Sequence, residues 1–248
     1  MKKTRETPIR VSIHATADEA NAAAADCLTD WLADPGTRTF MAAAGNTPLE
    51  LYRRIAGRRI PLGALSVFVL DEYVGVPIDE PRNCTNLLRR CVQEDWGIPP
   101  HQFHAISSLE AEALASVCEH ERKIAAAGGI DVLVLGLGRN GHLGFNEPGS
   151  AADSTGRVLD LERISIAANR EWFGGDYVPV KGVTVGLKTI LAAKRILILA
   201  FGSHKSAAVH AMVDGVRDVR CPASLLQGRP GVRLFLDQDA AAGLESPS

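Results

Sequence analysis

The chain has 248 residues, of which 46% are hydrophobic and 23% charged, and its formal net charge is −2. This composition predicts a globular protein with a substantial core and excludes a largely disordered chain. The small net charge gives no electrostatic basis for binding nucleic acid, and no uninterrupted apolar run is long enough to span a membrane.

The cysteines, the histidines and the first residues bear on compartment and metal binding. The five cysteines are widely spaced and form no Cys-x-x-Cys pair, which argues against a disulfide framework or a zinc ribbon. The seven histidines show no ligand spacing such as H-x-x-x-H, so we expect no metal site. The basic start MKKTRETPIRV is not followed by an apolar segment, so we expect no signal peptide and a cytoplasmic protein.

Strand and helix patterns alternate from the beginning of the chain. Apolar residues alternate in the segment 9–15, which predicts a strand, and the alanine-rich segment 17–34 predicts a helix. An apolar strand follows at 38–45, and then a helix at 47–57 that Thr47 would open.

The second half of the chain continues the alternation. Residues 65–72 predict another buried strand, and Ser107 with Glu110 has the spacing of a capping box for a helix at 109–129. The remaining predicted elements are strands at 130–138, 195–201 and 232–237 and helices at 205–213 and 223–226.

Near-continuous apolar strands that alternate with helices indicate a mainly parallel sheet. We therefore predict one α/β domain over residues 1–248, doubly wound and Rossmann-like, with helices on both faces of the sheet. Ligands bind such sheets beyond the carboxyl ends of the strands. The segments AAAGNTP, LDEYVG, GLGRNGH and FGSHK occupy those positions, and we expect them to converge.

Two of these segments carry groups that suit a particular ligand or reaction. The backbone N–H groups of Gly45, Asn46 and Thr47 come before a helix and suit a phosphate, although an ordinary turn capped by Thr47 fits as well. Asp71 and Glu72 end a strand, where a partly desolvated carboxylate can act as a base or merely cap a turn.

The loop GLGRNGHLGFNEPGS has a dinucleotide-like spacing but the wrong context. Gly136, Gly138 and Gly141 form G-x-G-x-x-G, yet an extended loop that ends at Pro148 replaces the expected helix. No acidic residue follows at the expected distance on a predicted strand end, where a ribose contact would need it, so a nicotinamide site is disfavoured.

Taken in order, AGNTP, LDEYVGVP, GLGRNGHLGFNEPGS, GVTVGLKTIL and FGSHKS resemble the glucosamine-6-phosphate deaminase (isomerase) family, which shares its fold with 6-phosphogluconolactonases. The resemblance covers residues 39–236. The form GLGxNGHLGxNEPG, together with PASLL near the end, is especially similar to the galactosamine-6-phosphate branch.

This resemblance implies an enzyme that opens an amino-sugar phosphate ring, isomerises the aldose to a ketose and releases ammonia without a cofactor. It implies that Asp71 moves the proton between C2 and C1, and that His142 opens the ring while Glu147 orients it. The family usually has aspartate where this chain has Asn140, and asparagine can hydrogen-bond without neutralising an imidazolium.

The same resemblance implies how the phosphate is bound. It places the phosphate on the loop that Gly45 begins, with Lys205 as a cation. The family's second phosphate-binding cation is an arginine, and Arg170 is the candidate here, one residue before the matching position, which Glu171 occupies. Glu72, Gly136 and Gly138 complete the predicted substrate contacts.

Other functions stay open at this point. A 6-phosphogluconolactonase would need the fold and the phosphate site but not an isomerising carboxylate. A sugar-phosphate sensor would bind without turnover, and Asn140 is the one residue that supports this alternative. The expected partner is a small hexosamine phosphate, not nucleic acid or membrane, and a homo-oligomer is compatible with the resemblance.

Residues 148–182 carry weak periodicity and several glycines, and they have no clear apolar face before Ile164. Catalytic lids close over substrates to exclude water. We therefore predict that this segment is a mobile lid.

Overall fold

The computed structural model describes residues 9–244. Its strands are β1 Arg10–His14, β2 Thr39–Ala42, β3 Ser66–Val69, β4 Asp71–Tyr73, β5 Phe103–His104, β6 Val132–Gly136, β7 Arg157–Asp160, β8 Lys181–Thr184, β9 Arg195–Ala200 and β10 Val232–Asp237. Its α-helices are α1 Ala17–Ala33, α2 Asn46–Gly57, α3 Cys84–Leu88, α4 Glu110–Ala126, α5 Arg163–Trp172, α6 Leu187–Ala192 and α7 Ser206–Val213.

Seven strands form one parallel sheet in the order β1-β10-β9-β6-β2-β3-β5. Alternate residues of β6 enter different hydrophobic clusters: Leu133 and Leu135 lie in one, and Val132 and Val134 lie in the other. Helices α1 and α2 pack into the second cluster, whereas α4, α6 and α7 pack into the first. Both faces of the sheet are therefore covered, and the predicted doubly wound α/β fold is confirmed.

A second, antiparallel sheet was not expected from the sequence. It contains β4, β8 and β7 in the order β4-β8-β7. Leu70 joins the two sheets, because its N–H donates to Ala42 O (3.0 Å) in the large sheet and its carbonyl accepts from Val185 N (3.2 Å) after β8. The predicted strand 65–72 is thus two strands in two sheets, and the break places Asp71 at the junction between them.

Three local predictions were wrong in detail. Helix α2 begins at Asn46 with Gly45 as its N-cap, one residue earlier than predicted. The capping box does not form: Ser107 Oγ accepts from Leu109 N and bonds to Glu112, and α4 has no side-chain cap. The last predicted helix is a short 3₁₀ helix, Pro222–Leu226, with the proline in its first turn.

Candidate active site

A cavity of about 600 Å³ opens at the carboxyl ends of the central strands. The four predicted loops all reach it, and helix α5 supplies the opposite wall. Eight predicted site residues line it: Gly45, Asn46, Thr47, Asp71, Gly136, Gly138, His142 and Lys205. The loops therefore converge as the fold predicts for a parallel α/β sheet.

One end of the cavity is suited to an anion. Helix α2 points its N-terminus into the cavity, its Gly45 N-cap makes no side-chain cap bond, and its first turn has no acidic residue. Gly45 has φ 99°, a left-handed conformation in which most side chains are strained. The first N–H groups of the helix therefore stay available to a ligand, and the helix dipole favours negative charge there.

Lys205 brings a cation to the same cavity. It follows the turn at Gly202, whose N–H donates to both carboxylate oxygens of Asp237 (3.0 and 2.9 Å). The Lys205 ammonium donates to the carbonyl of Leu137. Burial, and then the charge of Arg139, lowers the pKa of Lys205 to about 8. An anion in the cavity would offset both effects and raise the pKa of Lys205.

Asp71 is the buried carboxylate of the site. It begins β4, opposite Thr184 of β8, and it lines the cavity. Burial raises its pKa to about 8, with a further contribution from the charge of Glu72. A carboxylate with such a pKa exchanges protons readily near neutral pH, as a general acid–base requires.

Glu72 does not line the cavity, so its predicted substrate contact is not supported. Side chains alternate along a strand, and when Asp71 faces the cavity its neighbour faces the opposite side. The fully buried Glu72 carboxylate accepts from the backbone N–H groups of Tyr73 (2.7 Å), Cys84 (3.2 Å) and Thr85 (2.8 Å). It anchors the start of α3 behind the site.

His142 is held from one side by a buried carboxylate. Its Nδ1 lies 3.2 Å from Glu147 Oε2 and 3.3 Å from Ser165 Oγ. Burial alone would raise the pKa of Glu147, but its contacts to His142, Ser165 and Asn140 lower it to about 2. Within residues 9–244, Nε2 has no protein partner, so it is the ring nitrogen left for a ligand.

Asn140 and Glu147 lie behind His142 and do not line the cavity. The Asn140 amide Nδ2 donates to Glu147 Oε2 at 2.7 Å, and its Oδ1 accepts from His142 N at 3.2 Å. An aspartate at this position could not donate and would put a second negative charge against Glu147. Asn140 therefore stabilises an ionised Glu147 by donating a hydrogen bond without adding charge.

Two glycines allow the glycine-rich loop to pack closely against the His142 ring and against β4 and β8. A Cβ on Gly138 would lie 2.3–2.5 Å from the His142 ring atoms Cδ2, Cγ and Nε2. Gly144 has φ +59°, and a Cβ there would lie 2.9 Å from Thr184 Oγ1 and 3.2 Å from Asp71 Oδ2. The loop that carries His142 thus packs directly against the strand that carries Asp71.

Arg170 does not reach the cavity, so its predicted phosphate contact is not supported. It lies on the exposed face of α5, while Glu171 next to it lines the cavity. Sequence reasoning missed Arg139, which lines the cavity and pairs with Glu171 (Nη2–Oε2 3.2 Å). The signal was available, because Arg139 lies inside the glycine-rich loop, three residues before His142.

The predicted lid segment, residues 148–182, contains ordered structure. It includes β7, helix α5 and the start of β8. From α5, Ile164, Ser165, Ala168 and Asn169 face the cavity. The position of α5 over the site is compatible with closure, and its mobility stays a prediction.

Residues 12–234 match the model of the family described as glucosamine-6-phosphate isomerases/6-phosphogluconolactonase. The chain belongs to this family. The family resemblance predicted from the sequence motifs is thereby confirmed, whereas the galactosamine-6-phosphate branch stays a prediction.

Several relatives of this chain are named glucosamine-6-phosphate deaminase. The protein from Halothermothrix orenii is 36% identical over 81% of this chain and 85% of its own length. The protein from Cutibacterium acnes is 36% identical over 89% of this chain and 87% of its own length. A solved monomeric glucosamine-6-phosphate deaminase has a TM-score of 0.89 at 29% identity and covers 94% of this chain and 99% of its own.

The lactonase branch of the family shares the fold. The 6-phosphogluconolactonase of Trypanosoma brucei has a TM-score of 0.76 at 24% identity, and covers 96% of this chain and 99% of its own.

Candidate membrane-spanning helices and metal-binding groups are both absent among the described residues. Between residues 9 and 244, no helix is both long and apolar enough to cross a membrane, and no group of three His, Cys, Asp or Glu side chains could hold a metal ion.

Proposed function

We propose that the protein is a glucosamine-6-phosphate deaminase, which converts glucosamine 6-phosphate and water to a ketohexose 6-phosphate and ammonia. One observation carries this proposal: a single cavity joins an uncapped helix N-terminus and Lys205 to Asp71 and a carboxylate-supported His142. The names of the relatives at about 36% identity support the same activity.

Phosphate binding fixes the substrate at the α2 end of the cavity. A phosphomonoester carries a charge of roughly −1.5 to −2 near pH 7 and accepts hydrogen bonds from N–H groups and cations. Lys205 and the N–H groups after Gly45 supply both. Arg139 is the second cation, released from Glu171 when the phosphate arrives, and it takes the role that the sequence had given to Arg170.

Ring opening is the first chemical step. His142 accepts the proton of the C1 hydroxyl and returns a proton to the ring oxygen as the C1–O5 bond breaks. The ionised Glu147 stabilises the imidazolium between these events, because it lies against Nδ1 while Nε2 faces the sugar. Asn140 positions this carboxylate and does not contact the sugar.

Isomerisation and deamination follow. Asp71 as a carboxylate takes the proton from C2 of the open aldehyde while the C1 oxygen takes a proton from the substrate's C2 ammonium group, which gives an enolamine. The Asp71 carboxyl then delivers its proton to C1, which leaves a CH2OH group at C1 and an iminium at C2. Water adds to C2, and the C2–N bond breaks with release of ammonia, which takes up a proton. Burial of Asp71 keeps its basicity high enough for the first transfer.

Galactosamine 6-phosphate is the second substrate candidate, supported by Asn140 within GLGRNGHLGFNEPG and by the PASLL segment. The two hexosamines differ only at C4. The described contacts of Asn140 bear on Glu147 and not on a C4 hydroxyl, so the choice between epimers rests on kinetics.

The decisive experiment measures ammonia release from both amino-sugar phosphates and acid release from 6-phosphogluconolactone. We expect ammonia from glucosamine 6-phosphate, and a loss of this activity in His142→Gln that is far larger for the closed ring than for substrate already open. Binding without ammonia would indicate a sensor. Acid release from the lactone without ammonia would indicate a lactonase.

A further inference from the structure

A second cavity, of about 250 Å³, lies at the opposite end of the large sheet from the candidate active site. It forms where β1, β9 and β10 begin, whereas the active site lies where the central strands end. Four arginines line it together with one aromatic ring: Arg10, Arg195, Arg229, Arg233 and Trp31. The proposed reaction uses none of these residues.

The strand register brings the arginines together. Arg10 and Arg233 are directly paired on the neighbouring parallel strands β1 and β10. The guanidinium carbons of Arg195 and Arg233 lie 5.9 and 5.6 Å from the centroid of the Trp31 ring. Cation–π contact with one ring holds these two side chains on the same side of the sheet.

The cluster is short of negative charge. Arg195 pairs with Asp34, with 3.1 Å between Nη1 and Oδ2. Throughout the described range 9–244, no carboxylate forms an ion pair with Arg10, Arg229 or Arg233. The C-terminal end of α1, whose C-cap is Asp34, also lies in this region and adds the partial negative charge of its last carbonyls. Like charges gathered in a concave, partly desolvated site repel one another.

Arg229 is partly desolvated at the cavity. Burial, and then the charge of Arg217, lowers the pKa of Arg229 from its ordinary value. A bound anion would offset this penalty on the charged form of Arg229.

We propose that this cavity is a second binding site for phosphate, either free or as a small phosphomonoester. Guanidinium groups bind phosphate oxygens in pairs and stay charged at all physiological pH values. A phosphate dianion matches the three arginines that lack carboxylate partners. The enclosed volume suits a small molecule, and the net charge of −2 for the whole chain gives no support to nucleic acid.

Two tryptophans allow ligand binding to the two cavities to be measured separately by NMR. Trp31 lines the arginine cavity and Trp172 lines the candidate active site. We would titrate the ¹⁵N-labelled protein with inorganic phosphate, against sodium chloride at matched ionic strength, and follow the two indole N–H signals. Both signals should shift and saturate, each with its own Kd.

Variants assign each signal. Arg233→Ala should raise the Kd read from Trp31 roughly tenfold or more, the worth of one charge-assisted hydrogen bond, and leave the Kd read from Trp172 unchanged. Lys205→Ala should do the converse. Arg10→Ala, at an exposed position, repeats the test if Arg233→Ala does not fold. Arg122→Ala, an exposed arginine on α4 paired with Glu119, is the matched control and should change neither Kd.

Three results would overturn the proposal. One is a Trp31 signal that phosphate does not shift beyond the chloride control. Another is a Trp31 Kd that follows Lys205 instead of Arg10 and Arg233. The third is equal binding of succinate, which would show that the arginines attract any dianion without selecting phosphate. Because Trp172 and ammonia release report the active site independently, failure here leaves the proposed function untouched.

Discussion

Replacing Gly138 by alanine should inactivate the enzyme without unfolding it. The new Cβ would lie 2.3 Å from Cδ2 of His142, whereas ordinary contacts begin at 3.4 Å. The imidazole must therefore move by about 1 Å, away from its contacts with Glu147 and Ser165. A displacement of roughly 1 Å can cost 10²-fold in rate, or about 3 kcal/mol in activation free energy.

The assay is steady-state ammonia release from glucosamine 6-phosphate, with thermal unfolding measured in parallel. Gly138 is not in the left-handed region, so alanine imposes no backbone strain there and the melting temperature should change little. Gly57→Ala is the matched control, since a Cβ at that position meets nothing within 4 Å and lies at the end of α2. It should retain wild-type activity.

A double-mutant cycle tests whether the methyl group acts through the imidazole. In a His142→Gln background the ring is already absent, so Gly138→Ala should cost much less than in the wild type. Equal losses in the two backgrounds would refute the reasoning. Wild-type activity in Gly138→Ala would refute it as well.

Four further predictions concern Asp71, Lys205 and residues 148–182. The proposed base Asp71 has a pKa of about 8 in the ligand-free protein, so kcat/KM should rise as the pH rises towards 8, and Asp71→Asn should abolish deuterium exchange at C1 and C2 while substrate still binds. Because the folded-state pKa of Asp71 exceeds its unfolded value, wild-type stability should fall relative to Asp71→Asn as pH rises from about 4 to about 8 in denaturation curves. Lys205, with its pKa lowered to about 8, loses charge above that pH, so inhibition by phosphate should weaken there, and Lys205→Arg should remove this pH dependence. Amide hydrogen exchange in 148–182 should slow when a sugar phosphate is bound, and equal protection with and without ligand would remove the lid from the mechanism.

The large sheet and the convergence of its loops could be predicted from sequence, because apolar runs and glycine-rich turns are local signals. The small sheet could not. Its strand β4 has only three residues, continues an apolar run and changes sheets at a single residue, Leu70. No local pattern distinguishes this break from a longer strand.

The same limit explains the errors at the site. Asp71 and Glu72 are equivalent as strand-end carboxylates in the sequence, and only the pairing of β4 with β8 decides which one faces the cavity. Arg170 and Glu171 are likewise neighbours on α5, and their faces depend on how that helix docks. Charge near a motif can be predicted, but the direction of a side chain depends on tertiary packing.

The junction at Leu70 divides the work of recognition between two sheets. The proposed phosphate site is built on the large parallel sheet, through α2 and the loop after β9. Asp71 and the α5 wall belong to the part of the chain organised by the small sheet. Substitutions in the small sheet can therefore change the contacts to the sugar without changing the contacts to its phosphate. In a scaffold divided in this way, substrate preference can change in evolution through one sheet while the other sheet keeps the affinity for phosphate.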